Sequence, residues 1–167
     1  MPTWSSNSAE ETRQLGRQLG QLLRAGDLIL LHGGLGAGKT TFTQGIAAGL
    51  GVEGRVVSPT FIVSRTHAST SAGPALVHVD AYRIEDDLDL ETLDLDTSLP
   101  QAVTVVEWGA GKAEALSDQR LEVSLEVTGA TGDWTTAQDE GRQIHLTPVG
   151  EDWVRRLVEA GITEETG

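Results

Sequence analysis

The chain has no cysteine, only two lysines, and no apolar run near the ~20 residues that a membrane-spanning helix needs. Each absence excludes something. Without cysteine there is no disulfide framework, which fits a reducing compartment or indifference to redox conditions. The two lysines, Lys39 and Lys112, belong to 12 basic residues set against 25 acidic ones, a formal net charge of −13. A surface of that sign repels phosphate backbones, so direct nucleic-acid binding by this chain alone is not expected. Any role in nucleic-acid chemistry then runs through a partner protein. The first residues, MPTWSSNSAEE, lack a basic region and an apolar core, so no signal peptide is expected. These exclusions point to a soluble, cytoplasmic protein. With 167 residues and 38% hydrophobic content the chain suits one compact domain, residues 1–167. A domain near this size buries roughly 70% of its unfolded surface and needs no staple.

What is present is concentrated in one segment. Gly33 to Phe42 reads GGLGAGKTTF and fits G-x-x-x-x-G-K-[ST], with Gly33, Gly38, Lys39 and Thr40 at the fixed places. Glycines let consecutive backbone N–H groups curl round a phosphate with no Cβ in the way. The expected cradle is Gly33, Gly34, Leu35, Gly36, Ala37, Gly38, Lys39, Thr40 and Thr41. Lys39 can reach the β- and γ-phosphates of a nucleotide, and the Thr40 hydroxyl can sit on magnesium. A chance glycine-rich loop is the bland alternative in a chain with 20 Gly, but context opposes it. The apolar run LILLH precedes the loop, and TTFTQGIAAGL follows with Phe42, Ile46, Ala47 and Leu50 at helical spacing. Gly51 stands where a C-cap glycine belongs.

Upstream, Ser8 and Glu11 form an S-x-x-E capping box, and Leu15, Leu19, Leu22 and Leu23 predict an amphipathic helix running to Gly26. Downstream, VVSPTFIVSRTH reads as an extended segment interrupted at Pro59, and Ala68 to Pro74 as a small-residue turn. ALVHVD (Ala75 to Asp80) and AVTVVEWG (Ala102 to Gly109) contain apolar strands that end in carboxylates. Arg120 to Val127 alternates cleanly, as a half-solvated strand does. QIHLT predicts a further strand, and Trp153, Val154, Leu157 and Val158 a closing helix. The expected architecture is α/β: a P-loop NTPase three-layer fold with a mixed, mostly parallel central sheet and an antiparallel flank.

Hydrolysis would need a metal and a positioned water besides the loop. Asp80 and Glu107 are the candidate carboxylates, because ligands in open α/β sheets gather at the C-terminal strand ends. Thr60, in SPTF, is a candidate γ-phosphate sensor of the switch-loop kind. An ordinary turn residue next to Pro59 is an equal reading of its spacing. The acids from Glu85 to Asp96 miss the calcium-loop spacing and read as a solvated face. His32, His67, His78 and His145 show no ligand spacing and read as ordinary strand histidines.

Taken in order, GGLGAGKTTF, SPTF (Ser58 to Phe61), HVDAYRI (His78 to Ile84) and VEWG (Val106 to Gly109) resemble the bacterial TsaE family. These are small ATPases of tRNA threonylcarbamoyladenosine biosynthesis. The resemblance covers about residues 8–127, with the C-terminal strand and helix expected at 141–160. It implies a P-loop NTPase sheet that binds ATP with magnesium. It also implies work with a heterodimer of TsaB and TsaD type, one member of which transfers the threonylcarbamoyl group to tRNA. By the same resemblance Thr40 and Glu107 hold magnesium, and Asp80 orders the attacking water or the metal shell. Thr60 belongs to a nucleotide-responsive loop, while Tyr82, Arg83 and Trp108 shape the site or a partner surface. Arg142 is similar to a family arginine near the nucleotide. Two departures are Gly34, where the family usually has aspartate, and Asp94, where glycine is common.

Three rivals remain open from the residues alone. A small P-loop nucleoside or nucleotide kinase closes an arginine-rich lid over the phosphate, for which Lys112 and Arg120 are thin material. A regulatory GTPase needs an N-K-x-D guanine reader, and neither lysine sits in one. A non-hydrolytic ATP-gated adaptor would share the loop and differ only in turnover.

Overall fold

A computed structural model describes residues 2–33, 38–52, 64–70, 73–80, 99–107, 118–128 and 141–162. In chain order these form β1 (Thr3–Ser6), α1 (Ala9–Gly20), β2 (Leu28–His32), α2 (Lys39–Leu50), β3 (Ser64–His67) and β4 (Ala75–Asp80). A 3-10 turn at Leu99–Gln101 leads into β5 (Ala102–Glu107), followed by β6 (Arg120–Thr128), β7 (Gly141–Val149) and α3 (Glu151–Glu159).

The seven strands form one sheet in the order β1-β7-β6-β2-β5-β4-β3. β6, β2, β5 and β4 run parallel to one another; on one side β7 is antiparallel to β6 and β1 to β7, and on the other β3 is antiparallel to β4. The expected mixed α/β sheet with a parallel centre is therefore what the chain forms, with antiparallel strands on both flanks. Every β5 residue is buried, as a strand covered on both faces requires. Alternation divides the core. Ile29, Leu31, Leu76, Val103, Val105, Leu121 and Val123 pack in one cluster with Phe42 and Ile46 of α2, Leu19 of α1 and Trp153 of α3. Leu28, Leu30, Val77, Val79 and Val106 are buried at the alternate positions, which face the other way.

α1 begins at the expected cap: Ser8 accepts a hydrogen bond from the Glu11 amide, while the Glu11 carboxylate accepts one from the Asn7 amide at 2.7 Å. The helix stops at Gly20 and not at the expected Gly26. Two short bonds, Leu22 N to Leu19 O and Leu23 N to Gly20 O, tighten its last turn. The chain is then tied down from far away. Arg156 of α3 donates to both carboxylate oxygens of Asp27 at 2.8 Å and to the Leu22 carbonyl at 2.7 Å. Its guanidinium also lies 4.2 Å from the centroid of the Trp153 ring.

α1 and α2 touch through glycine. A Cβ on Gly16 or Gly20 would run into the Phe42 or Ile46 carbonyl, and one on Gly45 or Gly49 into the Arg13 or Arg17 carbonyl. These reciprocal small-residue seats bring two backbones together and fix α2 against α1. The closing helix expected from Trp153, Val154, Leu157 and Val158 forms as α3. Trp153, Arg156 and Leu157 form its buried face, while Val154 and Val158 are 49% and 59% exposed. A valine one position past each anchor is turned ~100° round the helix, toward solvent.

Candidate nucleotide-binding site

The parallel centre of the sheet sets the site. β2 and β5 run side by side with Leu31 opposite Glu107, and β4 continues the row with Asp80 opposite Glu107. Both expected carboxylate positions therefore lie level with each other, at the C-terminal ends of adjacent strands. The chain leaves β2 at this edge and re-enters the described residues at Gly38. There φ is +101°, a left-handed value that glycine adopts without strain. α2 starts immediately afterwards with no side-chain cap and no acid in its first turn. The helix dipole adds a positive end there.

Lys39 opens that helix and is nearly buried, with 8% exposure. Its Nζ donates to the Gly33 carbonyl at 2.6 Å, so the lysine spans the loop from the helix back to the strand end. Thr40 and Thr41 are half-buried beside it. Glu107 is 2% exposed, and its Oε1 has no hydrogen-bond partner. Arg142, from β7, reaches the same place: its Nε is 3.8 Å from where a Cβ on Gly38 would stand. Thr12 of α1 approaches that point equally closely.

The fold thus brings together Gly33, Gly38, Lys39, Thr40, Thr41, Glu107 and Arg142, with Asp80 placed by strand register. Gly34, Leu35, Gly36, Ala37, Thr60, Tyr82, Arg83, Trp108 and the acids of 85–96 lie outside the described residues. Among the described residues no three His, Asp or Glu side chains cluster as a self-contained metal site. One participant escaped the sequence reading. His78, an ordinary strand histidine by its sequence, is fully buried with its Nε2 3.6 Å from Glu107 Oε1. The signal was its place two residues before Asp80, but only strand pairing reveals what lies across from it.

The model of the family described as "Threonylcarbamoyl adenosine biosynthesis protein TsaE" matches residues 6–134. The chain belongs to the TsaE family. It is a family of tRNA threonylcarbamoyladenosine biosynthesis. The TsaE protein of Streptomyces coelicolor is 55% identical over 142 residues, covering 84% of this chain and 93% of that protein. The Bacillus subtilis TsaE protein is 36% identical, covering 88% and 85% of the two chains. The crystal structure of Bacillus subtilis YdiB superposes with a TM-score of 0.74 at 30% identity, covering 95% of this chain and 93% of that one. The P-loop type of α/β fold expected from the sequence agrees with this likeness, and the match at 6–134 runs slightly beyond the 8–127 marked out by motifs.

Proposed function

We propose that this TsaE-family chain is a slowly hydrolysing, magnesium-dependent ATPase subunit of tRNA threonylcarbamoyladenosine modification. It acts in the cytoplasm on a partner heterodimer of TsaB and TsaD type that performs the transfer. The observation that carries the reading is a meeting at one sheet edge: the uncapped start of α2, Lys39 closed onto Gly33, and buried Glu107 with an oxygen lacking a partner.

In this reading the amides of Gly33 to Thr41 receive the triphosphate, aided by the positive end of α2. Lys39 exchanges the Gly33 carbonyl for β- and γ-phosphate oxygens. Its near-complete burial makes that charge count for more than it would in water. The residues fit magnesium, since a nearly buried carboxylate and a hydroxyl at the loop's end are hard donors. Thr40 and Glu107 would hold it. Held there, magnesium would supply positive charge against the charge that develops on the phosphate oxygens. Asp80 orders the attacking water or the metal shell. Thr60 responds to the γ-phosphate, Trp108 shapes the nucleotide pocket, and Arg142 lies along the phosphates.

The net charge of −13 supports contact with tRNA through the partners and not through this chain. Turnover by the chain alone is slow, because an arginine supplied in trans is worth about 10³–10⁵ in rate. Measuring phosphate release with and without the TsaB and TsaD type partners tests this. Weak activity that changes on assembly is expected; equal rates would refute the coupling. A phosphorylated nucleoside product would establish the kinase alternative instead.

A further inference from the structure

Two buried side chains at the C-terminal edge of the parallel strands face each other with unpartnered polar atoms. His78 is fully buried, and neither ring nitrogen has a partner. Glu107 is 2% exposed, and its Oε1 is also unpartnered. An unsatisfied buried group costs roughly 1–3 kcal/mol, so two such groups side by side call for a physical reason. The separation of His78 Nε2 from Glu107 Oε1 is 3.6 Å, only tenths of an ångström beyond a hydrogen bond.

The sheet makes this meeting specific. His78 pairs with Val105 and Asp80 with Glu107 in the parallel β4–β5 ladder. His78 and Glu107 are therefore diagonal neighbours on one face. Leu76 and Val105 share that face by alternation, and both pack in the cluster containing Phe42 of α2. The pair thus lies on the side of the sheet where the phosphate loop's helix sits. An imidazole N–H is a donor, and among the described residues the unpartnered Oε1 of Glu107 is the acceptor beside it.

We propose that His78 is the positioning residue of Glu107. Its Nε2–H donates to Oε1, fixes the carboxylate plane, and leaves the second oxygen committed to the cation. Partners of this kind hold a ligating carboxylate in its working rotamer, and losing one typically weakens metal binding 10–100-fold. This inference rests on the proposed role of Glu107 as a magnesium ligand.

The test measures binding and needs no turnover. Mn²⁺, a paramagnetic stand-in for magnesium, is titrated by electron paramagnetic resonance into full-length protein saturated with a non-hydrolysable ATP analogue. Wild type, His78→Phe, His78→Gln and Glu107→Ala are compared, with analogue affinity in EDTA measured separately. Phenylalanine keeps the ring volume and removes the donor, while the glutamine amide nitrogen can reach the place of Nε2. His78→Phe should weaken Mn²⁺ by about 10–100-fold. It should leave metal-free analogue affinity within about twofold, and His78→Gln should recover most of the loss. Equal loss in both histidine variants would show packing and not donation, and would overturn the proposal. So would unchanged Mn²⁺ affinity in His78→Phe while Glu107→Ala binds weakly. Unchanged affinity in Glu107→Ala would instead overturn the magnesium reading itself, a distinguishable result.

Discussion

Gly45→Ala is the sharpest test of how α2 is held. In a free helix this change is favourable by about 1 kcal/mol, because alanine is the better helix former. Here the new Cβ would stand 2.9 Å from both the Arg13 carbonyl carbon and the Arg17 nitrogen, and closer still to the Arg13 carbonyl oxygen. Carbon contacts settle at about 3.5–4.0 Å, so α1 and α2 must part by roughly half an ångström to an ångström. No rotamer change relieves the clash, since both sides are backbone. Overpacking of this kind costs typically 1–3 kcal/mol, and separating the helices also weakens the neighbouring seats at Gly16, Gly20 and Gly49. Net of helix propensity, a loss of about 2 kcal/mol is expected, or roughly 4–8 °C in Tm for a chain of this size. Urea unfolding followed by circular dichroism reads it as a lower midpoint at unchanged slope. Gln18→Ala, on the exposed side of α1, is the control and should stay within about 0.5 kcal/mol. A Gly45→Ala protein as stable as wild type, or more so, would refute the backbone-to-backbone seat.

Two further outcomes follow from named contacts. Asp27→Ala leaves the buried Arg156 guanidinium, whose side chain is 6% exposed, with the uncharged Leu22 carbonyl and the longer Asp152 contact at 3.6 Å. A loss of about 3 kcal/mol is expected in the same unfolding assay, at the lower end for a broken buried pair, and a change below 1 kcal/mol would refute its structural role. Glu107→Ala should cut magnesium-dependent phosphate release by at least about tenfold while altering nucleotide affinity less. Full activity would reassign the metal ligand to Asp80.

The legible parts were local. A strand, a glycine-rich loop and a helix follow one another within about twenty residues, and each carries its own signal: apolar run, fixed glycines and lysine, 3.6-residue spacing. The Ser8 cap and the carboxylates closing β4 and β5 were readable for the same reason. What stayed hidden depends on distant partners. β1 is a four-residue strand with little periodicity, and it exists because Thr3–Ser6 pairs with residues 142–145 of β7. Arg156 looked like one more charge on a closing helix until Asp27, 129 residues away, came within 2.8 Å. The glycines of α1 and α2 read as weak helix formers, yet they are what lets the two helices meet. His78 shows the same limit most clearly, since neither strand alone tells which side chain lies diagonally across from it.

The proposed function depends on Lys39 and the amides opening α2 holding the anionic tail of ATP. Isothermal titration of ATP with magnesium into the isolated chain and into Lys39→Ala tests it most directly. The wild-type chain should bind at one site. Loss of a charge-assisted hydrogen bond worth about 1.5–3 kcal/mol should weaken the variant by roughly 10- to 150-fold. Equal affinity in the two proteins, or no binding to the wild type, would contradict the account.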